Sequence, residues 1–358
     1  MEIVAHFEIP YYQTLNEASQ IIGNLPDFAK NTNHLLRLYH YMILNRVFDT
    51  KAIALQRTGK IGTYPSTRGQ EAVFVGIGDA MAKDDILVPY YRDTAALLQR
   101  GVTMAEILLY WSGDERGNCF ACGGEDLPFS IPVGSQGLLA AGVATALKIR
   151  QEKRAVLTVC GDGATSEGDF YEAMNIAGVW KLPVVFVINN NQWAISVPRA
   201  AQTAGQTLAQ KAIAAGFVGE QVDGNDVIAV RERVAIALQK ARAEQEPSLL
   251  EIISYRQSDH TTADDARRYE PKGLRDAEWK KEPIARLRHY LETVDVWTEA
   301  QEEKLQRDCT AEVEQAVQLF SSVQPALPET MFDYLYKVLP DAYAEQRERV
   351  IKRGTAHE

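Results

Sequence analysis

The sequence predicts an α/β fold: a doubly wound, mostly parallel sheet with an N-terminal arm and a C-terminal helical extension. Two apolar runs and the stretch between them carry this prediction. Ala155-Val156-Leu157-Thr158-Val159-Cys160 and Val184-Val185-Phe186-Val187-Ile188 are short, rich in β-branched residues and free of charge, as strands buried on both faces are. Between them, Asp169 to Trp180 reads as a helix. Strand, helix and strand at this spacing form a right-handed crossover, which sets the two strands side by side or nearly so. Their C-terminal ends then share the sheet edge where open α/β proteins bind ligands. The first run ends at Gly161-Asp162-Gly163 and the second at Asn189-Asn190-Asn191. A carboxylate and an amide oxygen on neighbouring polar turns suit a hard divalent cation that also grips phosphate oxygens. The pattern therefore points to magnesium–diphosphate binding.

Residues 1–32, with Pro10 and Pro26, read as an arm lying on the body or on a partner. From Asn33 to Arg57 apolar residues recur at helical spacing, and Thr58-Gly59-Lys60 ends the helix. Gly62 to Gly69 is a loop of turn formers. A second helix runs from Gln70 to Met81, and Ile86-Leu87-Val88-Pro89 is a strand that delivers Tyr90-Tyr91-Arg92-Asp93 to a turn. Ser112 to Pro132 is irregular and dense in glycine and charge, a composition that usually marks a functional loop. Gly134 to Arg150 is a small-residue helix. Ser166 is placed to cap the crossover helix, whose N-terminus suits an anion. Val222 to Asp226 ends a short strand, Asp226 caps the helix that runs to Ala243, and Leu249 to Ser254 is a further strand. Asp259 to Pro271 is a polar loop, and the pattern is helical from Leu274 onward. These boundaries divide the chain into the arm 1–32, an α/β domain 33–272 and a helical extension 273–358.

The formal net charge of −10 argues against a general nucleic-acid binder, because phosphate backbones select for surplus lysine and arginine. No apolar run is long enough to span a membrane, and the first residues carry neither a basic, apolar leader nor an arginine-rich transit peptide. The expected location is the cytoplasm. Cys119-Phe120-Ala121-Cys122 is a lone Cys-x-x-Cys. A structural zinc needs a second pair and a redox motif needs a thioredoxin-like strand before it, so these cysteines read as reduced thiols.

The glycines at 161, 163 and 168 do not match the spacing of a dinucleotide-binding turn, and no Gly-Lys-Ser/Thr follows for a phosphate-binding loop of the Walker type. Gly-Asp-Gly followed about thirty residues later by Asn-Asn resembles the thiamine diphosphate signature. The wider text, Gly161 to Phe170 and Asn190 to Pro198, resembles the α subunit of the decarboxylating component of pyruvate and branched-chain 2-oxo acid dehydrogenases. Gly69-Gln70-Glu71-Ala72, Tyr91-Arg92-Asp93, Val222 to Asp226, Asp259 to Asp265 and Arg286 to Leu291 extend the resemblance from Leu35 to Leu291.

The resemblance implies a thiamine diphosphate-binding fold. It assigns magnesium to Asp162, the Asn191 side chain and the Trp193 carbonyl. It places Tyr91 and Arg92 at the diphosphate, with Gly161, Gly163, Ala164, Ala194 and Ile195 around the cofactor. Taken alone, Arg92 would read as a surface ion pair with Asp93. His260 is the implied catalytic residue, facing the thiazolium and the diphosphate. Ser130, Pro132, Ser135 and Gln136 match a segment that lines the cofactor and, in branched-chain relatives, helps hold a monovalent cation such as K+; the same residues also read as a plain helix start capped near Ser135. Thr261 stands where mitochondrial relatives carry a regulated serine.

Two departures stand out. Bacterial pyruvate-type relatives carry a second histidine in the loop that here reads Asp114-Glu115-Arg116-Gly117-Asn118. Either a partner supplies that acid/base, or Arg116 substitutes electrostatically, without proton transfer. Asn189 replaces a longer polar or charged residue, which predicts a weaker diphosphate contact.

The family's glutamate that activates the aminopyrimidine lies on a β subunit, and the length of this chain supports about one α/β domain rather than the two a self-contained site needs. The implied assembly is α2β2, acting on a small 2-oxo acid and passing the acyl group to a lipoyl acyltransferase core. Two other readings are a stand-alone thiamine diphosphate enzyme of transketolase type and a non-catalytic magnesium–nucleotide binder. The choice between pyruvate and a branched-chain substrate is not legible: Gly168-Asp169, Val222 to Asp226 and Arg286 to Leu291 lean to the branched-chain type, while Ser166 to Phe170 and Ala194 to Pro198 match bacterial pyruvate-type subunits.

Overall fold

The computed structural model describes residues 1–333 and 335–354. The arm leads to a two-residue strand, β1 (Tyr11–Tyr12), and then to the long helix α1 (Thr32–Arg57), which Thr58 caps and Gly59, at φ +74°, ends. Next come α2 (Glu71–Ala80), β2 (Ile86–Val88), α3 (Thr94–Gln99) and α4 (Met104–Ser112). After the irregular stretch, α5 (Ser135–Ile149) precedes the crossover of β3 (Val156–Gly161), α6 (Gly168–Trp180) and β4 (Val184–Asn190). A small hairpin, β5 (Trp193–Ala194) and β6 (Val197–Pro198), is followed by the short helices α7 (Arg199–Gln202) and α8 (Lys211–Ala214). The chain continues with β7 (Val218–Asp223), α9 (Val227–Glu244), β8 (Ser248–Ile253), α10 (Leu274–Trp279), α11 (Pro283–Thr293), α12 (Glu299–Ser322) and α13 (Ala344–Gly354). No helix among the described residues is long and apolar enough to cross a membrane.

The main sheet has the strand order β1-β7-β8-β4-β3-β2, and every pairing in it is parallel. Its central strands β3, β4 and β8 are buried along their length up to Gly161 and Ile253 at their ends, because alternate side chains feed opposite layers. Leu157, Val159, Val185, Val187, Leu250 and Ile252 join the core with α1, α2 and α9. Val156, Cys160, Val184, Phe186, Ile188 and Leu249 join the core with α5 and α6. An uninterrupted apolar run is therefore what a sheet sandwiched by helices requires, and the doubly wound prediction holds.

β3 and β4 lie side by side with Gly161 opposite Asn189, so the two motifs share one edge as the sequence predicts. Asp226 caps α9 through Oδ1, which accepts from the Ile228 and Ala229 amides at 3.0 and 3.2 Å. Its Oδ2 also accepts from the Thr14 and Leu15 amides at 2.6 and 2.7 Å, fastening the arm to the sheet. Residues 11 and 12 pair with β7 as an edge strand, with Tyr11 still exposed. Cys309, Val313 and Ala316 of α12 pack into the same core as α1. Ser166 is not the cap of α6: a 3₁₀ turn over Gly163–Ser166 intervenes, and Glu167 takes the N-cap position with no side-chain bond. The tight turn after β3 uses up the residues that a simple strand-to-helix reading gives to the helix.

Gly69 shows how closely the edge loops are packed. It sits at φ +85°, and a Cβ there would lie 2.3 Å from Gln257 Cγ and 2.4 Å from the Tyr255 carbonyl oxygen. The Gln257 amide donates to the Arg68 carbonyl at 3.1 Å, so the chain after β8 is held against this turn. Gly69→Ala combines left-handed strain with a backbone clash. It should cost on the order of 3 kcal/mol, read as a lowered urea midpoint.

Candidate active site

The C-terminal ends of β2, β3, β4 and β8 open onto one cavity of about 390 Å³. Tyr90, Tyr91 and Arg92 enter it from β2, and Cys160 to Ala164 from β3. Asn191 and Trp193 to Ile195 enter from β4, and His260 and Thr261 from beyond β8. This is the edge of a parallel sheet at which strand ends converge on a ligand.

Asp162 is 2% exposed, and Gln202 Nε2 donates to its Oδ2 at 2.9 Å. Burial pushes its carboxyl up to about 6, against the hydrogen bond from Gln202. Asn191 donates through Nδ2 to Gln70 Oε1 at 2.9 Å, while its Oδ1 accepts from the Trp193 amide at 3.2 Å. The hairpin that follows turns sharply, with Gln192 at φ +73° and Ile195 at φ +55°. Asn190 supports it from beneath. Its Oδ1 accepts from the Gln192 side chain at 3.0 Å, and its Nδ2 donates to the buried Glu251 at 2.7 Å.

Two buried arginines meet at His260, Arg92 in the cavity lining and Arg256 behind it. Arg92 is 1% exposed, bonds the Ser66 carbonyl, and donates to the His260 carbonyl at 2.7 Å and to His260 Nδ1 at 3.0 Å. Arg256 is 2% exposed and donates to the Ile195 carbonyl at 2.8 Å and the Tyr269 hydroxyl at 2.6 Å. Its Nη1 lies 3.4 Å from His260 Nδ1. The Asp93 carboxylate accepts from the Tyr90 amide at 2.8 Å and does not form the ion pair considered for Arg92.

Two guanidinium groups aimed at Nδ1 make that nitrogen the acceptor, so the proton of a neutral imidazole sits on Nε2. Burial first, and the two arginines second, hold the His260 pKa down at about 3. Burying a guanidinium against neutral acceptors is costly unless an anion compensates it. Phosphate oxygens match its planar fork. Likewise, a buried carboxylate beside an amide oxygen suits a hard dication. The arrangement can therefore hold a metal and an anion in the same cavity.

The dehydrogenase E1 component family matches residues 39–328. The chain belongs to this family. It is 38% identical to the pyruvate dehydrogenase E1 component subunit alpha of Staphylococcus aureus over 94% of this chain and 91% of that one. It is 37% identical to the Staphylococcus epidermidis subunit of the same name over the same shares. As the resemblance implied, it is an E1 α-type component of the thiamine diphosphate-dependent 2-oxo acid dehydrogenases, an oxidoreductase family whose members work within a complex.

Of the positions that the E1 resemblance singled out, Tyr91, Arg92, Gly161, Asp162, Gly163, Ala164, Asn191, Trp193, Ala194, Ile195 and His260 all line this one cavity. Ser130 and Pro132 do not; the wall there is Ile131 and Val133. Gln136 Nε2 draws the Ser130 and Pro132 carbonyls back toward the start of α5, at 2.8 and 3.3 Å, and Ser130 and Ser135 join hydroxyls at 2.9 Å. Asn189 is buried beneath the cavity, bonded to Gln70, Tyr90 and Ser254, and so makes no weakened contact at the rim. Arg116 is also outside the lining: it bonds Asp114 at Nε by 2.9 Å and the Gln324 carbonyl by 2.7 Å.

Sequence reasoning missed Arg256, Gln202 and Gln70. Arg256 had a signal, lying just beyond the end of β8 on the edge that carries the other loops. Gln202 had none, because α7 reaches Asp162 only through the tertiary path of the hairpin. Among the described residues no group of three or more His, Cys, Asp or Glu could hold a metal. The oxygen set here has one carboxylate, which composition alone would not flag.

Two predictions follow from these environments. Asp162 in the folded chain keeps a proton up to about pH 6 that the unfolded chain has already lost. Stability therefore falls as pH rises through that window. Asp162→Asn should stabilise the metal-free chain by about 2 kcal/mol at pH 7.5, measured by urea unfolding. His260 is the reverse case for folding: its contribution is intact above the ordinary histidine value and is lost as pH falls toward about 3. Nitrogen-15 NMR of the metal-free chain should show one neutral Nε2–H tautomer from pH 5 to 8; a midpoint near 6.5 would refute this.

Proposed function

We propose that this chain is the α subunit of a pyruvate dehydrogenase E1 that works as an α2β2 tetramer in the bacterial cytoplasm. On this reading, magnesium and thiamine diphosphate bind at the α–β boundary, and the acyl group passes to a lipoyl acyltransferase core. The observation that carries the reading is the one cavity that gathers both kinds of group. Asp162, Asn191 and Trp193 line it together with Arg92 and His260, and Arg256 reaches His260 from behind. The first set would hold magnesium and the second the diphosphate, with Tyr91 beside Arg92. Gly161, Gly163, Ala164, Ala194 and Ile195 would form the bed between them.

When bound, thiamine diphosphate supplies the nucleophilic carbon and the electron sink for decarboxylating a 2-oxo acid. The chain's own residues position and tune. His260 offers its Nε2 proton as a hydrogen-bond donor while Arg92 and Arg256 occupy Nδ1. Neutralising those two cations with an anion would raise the imidazole toward its ordinary range and let it take part in proton transfer. A potassium ion among Ser130, Pro132, Ser135 and Gln136 belongs to the same proposal. It would require the Gln136 amide to turn its oxygen inward, since Nε2 now holds the two carbonyls.

A β partner is favoured by what the cavity contains. Its lining has one carboxylate, Asp162, and no glutamate to serve an aminopyrimidine. Its outer wall exposes Ile131, Val133 and Ile195 at 46%, 57% and 55%, an apolar rim of the kind that another chain covers. Pyruvate is favoured by the names of the relatives. The features that lean toward branched-chain substrates lie elsewhere: Asp223 and Arg286 pair with each other at 2.6 Å beneath the arm, outside the cavity lining.

The test is reconstitution. With its β partner, the chain should decarboxylate pyruvate with kcat/KM at least tenfold above that for 3-methyl-2-oxobutanoate, and the chain alone should be inactive. Robust decarboxylation by the lone chain, ketol transfer without lipoamide, or thermal stabilisation by magnesium–nucleotide instead of the coenzyme would each favour a different reading.

A further inference from the structure

We propose that Gln70 is the positioning residue that decides which atom of Asn191 faces a bound magnesium ion. This rests on the magnesium reading of the site. Gln70 is fully buried at the start of α2 and lies outside the cavity lining. Its single oxygen accepts from two asparagines, Asn189 Nδ2 at 2.8 Å and Asn191 Nδ2 at 2.9 Å. Its own Nε2 has no hydrogen-bond partner. A buried donor left unpaired is rare in folded proteins and persists where the surroundings require it.

The two asparagine bonds supply that requirement. A carboxamide presents oxygen on one side and nitrogen on the other, and only the oxygen has a lone pair for a metal. With both Nδ2 groups turned to Gln70, both Oδ1 atoms turn away from it. Asn189 Oδ1 takes the Ser254 hydroxyl at 2.8 Å. Asn191 Oδ1 takes the Trp193 amide at 3.2 Å, on the side of the chain that lines the cavity. If the Gln70 amide turned over, Nε2 would face Asn191, and Asn191 would have to offer its oxygen to Gln70 and its nitrogen to the metal. The backbone that holds Gln70 is itself clamped: the Gly69 amide donates to Glu71 at 3.0 Å, and Arg46 bonds the same buried carboxylate at 2.5 Å.

The test uses the assembled enzyme with its β partner and reads the Mg2+ dissociation constant at saturating thiamine diphosphate by titration calorimetry, with the melting midpoint of the metal-free enzyme in parallel. Gln70→Leu removes the acceptor and frees the Asn191 amide to rotate; Gln70→Glu keeps acceptor oxygens at that place. The Mg2+ Kd should rise at least tenfold in Q70L and stay within threefold of native in Q70E. A native Kd in Q70L, even with a lowered melting midpoint, would mark a structural role alone and overturn the proposal. So would a Q70E that loses as much affinity as Q70L. If Q70L does not assemble, the Q70E result decides. Asp162→Ala is the control for the underlying reading: if it binds Mg2+ like the native enzyme, the magnesium site itself is wrong, whereas loss in D162A with a native Q70L removes only the role of Gln70.

Discussion

The structure depends on burying charge of both signs at the edge of one parallel sheet. Asp162 and Arg92 line the cavity and Arg256 lies just behind it, each almost fully out of water. None of them forms an ion pair with another: Asp162 is bonded by a neutral amide, and the arginines by carbonyls, a phenol and an imidazole, although the charge of Arg256 still acts on Asp162. Burying unpaired charges is costly, and a ligand that carries both signs would lower that cost. The site thus stores an energetic demand that a metal–diphosphate pair is suited to meet.

Holding these groups in place takes a rigid support, and the chain builds it from amides. Gln70, Asn189, Asn190 and Gln192 link the turn after β4 to α2, β2 and β8. Glu251 anchors the network by accepting from Asn190 and from the Leu208 and Ala209 amides at 2.7 and 2.9 Å. A buried network bonded at every member but the Gln70 Nε2 holds one arrangement of its amides. This explains why three consecutive asparagines serve three different purposes: Asn189 and Asn190 are scaffold, and only Asn191 reaches the cavity.

His260 illustrates the same economy. A histidine beside two arginines is kept neutral and oriented without a carboxylate on Nδ1. Its carboxylate neighbour, Asp264, holds the backbone amide instead, at 2.9 Å. Burial keeps the imidazole neutral first, and the two arginines add to it, so an anion on the arginines would relieve part of that hold.

The strand pattern, the crossover and the sharing of one edge by Asp162 and Asn191 were legible in the sequence, because a strand buried on both faces has to be apolar along its length and a parallel crossover has one hand. The residue types of the site were legible as well, through motifs whose order follows the strands. What the sequence could not express is direction. Whether Asn189 or Asn191 faces the cavity, whether Ser130 or Ile131 forms its wall, and where Arg116 points are set by hydrogen bonds between segments far apart in the chain. Gln70 to Asn191, Gln202 to Asp162 and Arg116 to Gln324 each span a separation that no local pattern encodes. The sequence by itself determined which groups arrive at the edge. Tertiary structure alone decided which of their atoms face inward, because amide and guanidinium orientation is chosen by the partners that folding brings into contact.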